Sequence, residues 1–261
     1  MVENRLPKLS FKQLHLKGEY GDYKAFMSLC YFPSINHCFE TIKYLHVKEL
    51  EYYLKLTYEQ RVKSYLAGRY AAKKAISSFV QEENLDQILI EQGIFHQPII
   101  VHTHANNIQV SITHCDDLGA AIAFPETLPM GIDIERISVK RKGIFKSQMT
   151  EREKEIIKPL PYSEEVMLTL LWTAKESLSK ILKTGLTIPF EILEVSMLEV
   201  EGNTVHGYFN NFPQYCVSSL VFGEYVCSIT YPKNILLSLE IVRDVLGKIE
   251  QAMNSKLFIN T

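Results

Sequence analysis

The sequence predicts an α+β fold of two similar halves, related by a pseudo-twofold axis, with the active site in the cleft between them. Three observations carry this. Residues 172–180, WTAKESLSK, sit in a helical pattern: Leu171, Ala174, Leu178, Ile181 and Leu182 recur at three- and four-residue steps and form a core-facing stripe. Residues 131–135, GIDIE, alternate as a strand does. That puts Asp133 and Glu135 on one face and Ile132 and Ile134 on the other. The third observation is internal repetition. One shift lays Glu49 on Glu151, Glu51 on Glu153, Leu66 on Leu168, Tyr70 on Trp172, Lys73 on Lys175 and Lys74 on Glu176. A slightly longer shift lays Val110 and Ser111 on Val217 and Ser218, and Phe124 and Pro125 on Tyr231 and Pro232. Both halves read as helix, long helix, then strand hairpin, with the division between 1–126 and 127–261. The shift sets a cationic helix face in the first half opposite a carboxylate wall in the second.

Taken in order, residues 1–45 read as short strands and loops. Helical spacing begins near His46, with Val47, Leu50, Leu54 and Leu56 as inward positions. Residues 61–80 form a clear helix without proline. Gly68 within it costs about 1 kcal/mol relative to Ala, which implies a close approach of another element. Residues 108–113 and 120–124 are strands joined through a turn at 115–119, and GIDIE is a third strand. Residues 136–146 form a basic loop. Thr150 is an N-cap, with Glu151 and Glu153 in the first turn behind it. Gly185 stops the WTAKESLSK helix, 191–232 alternates as strands, and 236–253 is a final amphipathic helix.

Composition narrows the function classes. The chain has 261 residues, 46% of them hydrophobic and 22% charged, which fits a soluble globular protein. A net charge of −2 gives no bulk attraction for nucleic acid or an anionic membrane, so an anionic ligand must be held by local cations. Five cysteines without a CxxC pair suit neither a disulfide framework nor a zinc site. No signal-like or membrane-spanning run is present, so a cytoplasmic monomer is expected.

Asp133 and Glu135, two apart on one strand face, repel unless a proton or cation lies between them. Glu176 supplies a third carboxylate. All-oxygen donors suit Mg2+, with Mn2+ as a substitute, and Mg2+ keeps positions for water and phosphate. An acidic edge strand is the plain alternative. Lys180, one turn after Glu176, is either a surface ion pair worth a few tenths of a kcal/mol or a group that offsets charge on a departing phosphate. His114 ends a strand and stands near the metal edge. Arg69, beside Gly68, is the best remaining phosphate ligand, since a guanidinium grips phosphate as a fork. Arg61, Lys73 and Lys74 are weaker candidates of the same kind. The basic loop Arg136, Lys140, Arg141, Lys142 and Lys146 is a solvated connector or a dock for an acidic protein.

SITHC, then GIDIE, then WTAKESLSKILKTGL resembles the 4'-phosphopantetheinyl transferase superfamily, and the length and two halves resemble its Sfp-type, single-chain branch. SYLAGRYAAKKAI upstream is similar to that branch's first-half helix. The resemblance spans roughly residues 45–190. It implies transfer of the phosphopantetheine arm of coenzyme A to a serine of an acyl or peptidyl carrier protein, releasing 3',5'-ADP. It implies that Asp133, Glu135 and Glu176 hold Mg2+, that Glu176 helps deprotonate the serine, and that Lys180 sits on the phosphate. Thr113, His114 and Arg69 would contact coenzyme A. Two departures stand out: His96-Gln97-Pro98 where the family often has G-K-P, and Ser64 where it often has arginine. The competing readings are a Mg2+-dependent phosphodiesterase or nuclease on the same acidic triad, and a non-catalytic carrier-binding module.

Overall fold

A computed structural model describes residues 6–19 and 21–257; the rest of the stretch expected to hold short N-terminal strands lies outside the described residues. The first two strands are long rather than short. β1 (Lys8–Gly18) and β2 (Gly21–Tyr31) pair antiparallel along their whole length, and their alternation buries Leu14, Leu16, Ala25, Met27 and Leu29. α1 (Ile35–Phe39) and α2 (Val47–Tyr53) follow. Of the expected inward positions near α2, Leu50 packs on the core and Leu56 is half-buried, but Val47 and Leu54 are 63% and 73% exposed. The helix is too short to need an apolar stripe and is anchored instead by a buried carboxylate, Glu49.

α3 (Glu59–Val80) lies across β2, β5 (Ile108–Cys115) and β6 (Leu118–Pro125), burying Leu66, Ala67, Tyr70, Ala71 and Ile76. Gly68 marks the expected close approach, since a Cβ there would stand 3.2 Å from Ile112 Cγ2. Between α3 and β5 the chain makes a separate two-stranded hairpin, β3 (Leu89–Gln92) with β4 (Pro98–Val101).

β7 (Gly131–Arg136) comes next. The expected basic loop is mostly helical: a 3-10 turn over Val139–Arg141 runs into α4 (Lys142–Ser147), because Phe145 is buried and draws the segment onto the protein. α5 (Glu151–Ile156) starts at Thr150, which forms a capping box with Glu153. α6 (Glu164–Leu182) carries WTAKESLSK. It ends at Lys183, in the left-handed region at φ 57°, two residues before the expected stop at Gly185. β8 (Val195–Glu201), β9 (Thr204–Phe209), β10 (Tyr215–Phe222) and β11 (Tyr225–Pro232) complete a second sheet. β12 (Ile235–Leu237) and α7 (Leu239–Leu257) end the described chain. The final helix begins later than expected because Leu237 pairs with Leu16 as a strand.

The first sheet has the order β12-β1-β2-β6-β5 and the second β7-β11-β10-β9-β8. A central apolar cluster draws on both sheets and α7, including Met27, Ile122, Ile132, Ile134, Ile229 and Val245. Two further clusters lie under α3 and under α6. The tail returns to the first sheet, since β12 pairs with β1 and α7 packs on β1 and β2. Edge strands β5 and β7 lie side by side. Two side chains splice them: Ser111 Oγ accepts from Ile132 N at 3.0 Å and Thr113 Oγ1 accepts from Ile134 N at 3.2 Å. No helix among the described residues is long and apolar enough to cross a membrane.

Candidate active site

The site grows from the β5–β7 seam. β7 alternation sends Ile132 and Ile134 into the central core and leaves Asp133 and Glu135 toward α6. Gly131 sets how closely α6 approaches, because a Cβ there would overlap the backbone at Ser177. Asp133 is buried. Its Oδ1 accepts from Thr113 Oγ1 at 2.9 Å and from Lys180 Nζ at 2.8 Å. Lys180 also donates to Ile132 O at 2.7 Å, so two of its three donors are committed. Asp133 Oδ2 is buried and has no hydrogen-bond partner.

Glu176 sits one turn before Lys180 on the same face. Its pKa is pushed up to about 8, first by burial, then by the charge of Asp133, with Glu135 adding to the effect. Lys180 and the Trp172 N–H, the latter outside good hydrogen-bond geometry, pull the other way. Trp172 itself is clamped between Phe145 and Phe190 at 4.6 and 4.8 Å between ring centroids. Glu135 is also raised, by burial first and then by Asp133, while Arg141 offsets part of that. Arg141 Nη1 donates to Glu135 Oε2 at 2.5 Å, and the Cys115 thiol lies at 3.7 Å from the same oxygen.

The three carboxylates therefore share one electrostatic environment. Among the described residues no group of three His, Cys, Asp or Glu side chains is gathered tightly enough to cage a metal as it stands. The physical reason is visible: Lys180 holds Asp133 and Arg141 holds Glu135. The donor set still fits a divalent cation. Asp133 Oδ2 is an unsatisfied buried oxygen, and burial together with the charge of Asp133 holds Glu176 largely protonated near neutral pH, which a cation would relieve.

Thr113 is brought to the site, but its hydroxyl is committed to Asp133 and Ile134 N. His114 points the other way along β5. It lines a cavity of about 190 Å³ with Arg61, Ser64, Arg69, Gln92 and Ile112. Although its ring is open to solvent, crowding by the cleft walls and then the charge of Lys180, with Arg61 adding, hold its pKa below the ordinary value. Asp133 opposes them. A second cavity of about 260 Å³ adjoins Lys180 and is walled by Phe95, Gln97, Ile112 and Met130. Gln97, at the position that departs from G-K-P, folds its amide oxygen back onto Phe95 N at 3.0 Å.

Two expected phosphate candidates are not at the cleft. Lys73 is fully buried and donates to Leu85 O, Ile88 O and Glu49. Lys74 lies over the rings of Tyr44 and Tyr70, so the expected cationic wall facing Glu176 is not formed by it. Lys142 and Lys146 pair with Glu164 and Glu165, and Arg136 pairs with Glu224 and Asp116.

Residues 129–230 match the model of the 4'-phosphopantetheinyl transferase superfamily. That stretch is less than half of the chain, and over it the chain is similar to this superfamily. No curated protein matches the chain. The matched stretch contains Asp133, Glu135, Glu176 and Lys180, whereas Arg69, Thr113 and His114 precede it. Sequence reasoning missed two further buried groups. Glu49 binds Lys73 at 2.6 Å, His46 N at 2.9 Å and Ile90 N at 3.1 Å, and stands 3.4 Å from Arg69 Nε. Glu153 binds Lys175 at 2.7 Å, Thr150 N at 2.8 Å and Val195 N at 2.9 Å. By partners, Glu49 corresponds to Glu153, so the sequence shift that laid Glu49 on Glu151 was out of register there. The T-x-x-E capping pattern at Thr150 was the available signal.

Proposed function

We propose that this chain transfers the 4'-phosphopantetheine group of coenzyme A to a serine hydroxyl of an acyl or peptidyl carrier protein, with Mg2+ as the assisting ion. The observation that carries the reading is Asp133. It is buried, with one oxygen on Lys180, which lines a cavity, the other without a partner, and Glu176 close enough to be strongly perturbed. Asp133, Glu135 and Glu176 would hold the ion. When bound, Mg2+ supplies charge neutralisation to a pyrophosphate and favours its cleavage.

The chain's own groups account for the rest. Lys180 has one donor left beyond Asp133 and Ile132 O, and offers it to a phosphate oxygen of the leaving group. Arg61, Arg69 and His114 line one cavity and are suited to the nucleotide phosphates. Glu176, with a pKa near working pH, accepts the proton of the carrier serine. The serine oxygen bonds to the phosphorus that bears pantetheine. The bond from that phosphorus to the bridging oxygen breaks, and 3',5'-ADP leaves with the electron pair. The chain needs no nucleophile of its own, because the partner brings it. The nuclease alternative gains no specific support, given a net charge of −2.

The test is incubation of the chain with coenzyme A, Mg2+ and candidate carrier proteins, read by intact mass. One added phosphopantetheine per carrier, with 3',5'-ADP in equal amount, is the expected result. Hydrolysis of DNA or of coenzyme A without carrier modification would overturn it.

A further inference from the structure

Arg141 has no part in the chemistry above, yet it is held at three points. Its Nη1 is 2.5 Å from Glu135 Oε2, its Nη2 donates to Arg136 O at 3.1 Å, and its guanidinium lies over the Phe145 ring at 5.4 Å. Phe145 in turn stacks on Trp172, one helical turn before Glu176. A chain of contacts therefore runs from Glu135 through Arg141 and Phe145 to the helix that carries Glu176. The neighbouring Lys142 and Lys146 are tied to Glu164 and Glu165 instead.

We propose that Arg141 and a divalent cation compete for Glu135, so that loading the site with the ion releases Arg141 and loosens residues 139–147 from β7. The inference rests on the metal-assisted reading above. Its physical ground is that Glu135 Oε2 already accepts a short charge-assisted bond from Arg141, so a divalent cation taken up by the same carboxylate would stand beside a guanidinium. Two cations brought together on one half-buried carboxylate also repel each other. Release matters because the same segment exposes Val139 and Ile144, 74% and 60% open to solvent. Metal loading would then precede, and permit, rearrangement of that surface.

Trp172 is the single tryptophan of the chain, so its emission reports on the aromatic stack it forms with Phe145 and Phe190. The experiment is Mn2+ binding to the full chain, read by loss of the free-ion electron paramagnetic resonance signal, with and without coenzyme A, alongside Trp172 emission. Arg141→Gln should bind Mn2+ about tenfold more tightly than the wild type. Arg141→Lys should fall between the two and serves if the glutamine variant folds poorly. Mn2+ should shift Trp172 emission in the wild type and leave it nearly unchanged in Arg141→Gln. Lys140→Gln removes an exposed cation with no ion-pair partner among the described residues, and should leave affinity within twofold. Equal or weaker Mn2+ binding by both Arg141 variants overturns the competition, as does equal tightening by Lys140→Gln. Glu135→Gln separates the two levels. If it weakens Mn2+ binding while the Arg141 variants change nothing, only the competition falls. If it leaves Mn2+ binding unchanged, Glu135 is not a ligand and the metal assignment at that residue falls with it.

Discussion

At the scale of single residues, Glu176 is where structure and chemistry conflict most. Its ordinary pKa is 4.5 and its folded value about 8, because burial and Asp133 disfavour the charge. Below pH 4.5 it is protonated in both folded and unfolded chains and makes no difference between them. Between there and about 8 only the unfolded chain ionises it, so the folded state binds more protons and stability falls as pH rises through that window. Glu176→Gln removes the penalty. The variant should melt a few degrees higher than the wild type at pH 7.5, and the gap should close near pH 4.5. Calorimetric melting temperatures across that range check it, and coincident values at pH 7.5 would show that the carboxylate is not disfavoured. The same substitution should cost at least two orders of magnitude in transfer, on the order of 3 kcal/mol of transition-state stabilisation. Gain in stability with loss of activity is the pattern of a group kept for function rather than for the fold.

At the scale of elements, the seam between β5 and β7 decides whether the site exists. No backbone ladder joins the two sheets there; Ser111 and Thr113 do so with side-chain hydroxyls. Thr113→Val keeps the shape, removes the bond to Asp133 and leaves Ile134 N without its acceptor. It should cost roughly 1–3 kcal/mol of stability by denaturant unfolding and lower kcat through a less fixed Asp133. An unchanged stability and kcat would assign the seam to apolar packing alone. Much of this layer was legible in the sequence. The three- and four-residue stripe of α6, the alternation of β7 and the cap at Thr150 depend on local periodicity, which a sequence states directly. The hydroxyl roles of Ser111 and Thr113 were not legible, because they depend on which strand lies alongside. The same holds for Glu49 with Lys73 and Glu153 with Lys175, pairs buried across elements that no spacing rule links.

At the scale of the whole molecule, the basic stretch at 136–146 shows how charge in a sequence differs from charge on a surface. Read as a string it is a solvated connector or a dock for an acidic partner. Folded, Arg136, Arg141, Lys142 and Lys146 each meet a carboxylate of this same chain. Ion pairs at the surface are individually weak, yet paired cations project little net field to a distant partner. What the segment presents unpaired is Lys140 and the apolar side chains of Val139 and Ile144. If the carrier protein docks here, apolar contact should supply most of the affinity, and salt should matter less than the sequence alone suggests. Replacing Val139 and Ile144 together with asparagine should raise KM for the carrier at least fivefold and leave KM for coenzyme A unchanged. Stability should hold within about 0.5 kcal/mol, since both positions are exposed. Replacing Lys140 with serine should change the carrier KM less than the apolar pair does, and the wild-type salt slope should be shallow. Steady-state kinetics at several ionic strengths separate the cases. A steep salt slope, with the double asparagine variant at the wild-type carrier KM, would return the docking role to the cations or move it off this segment altogether.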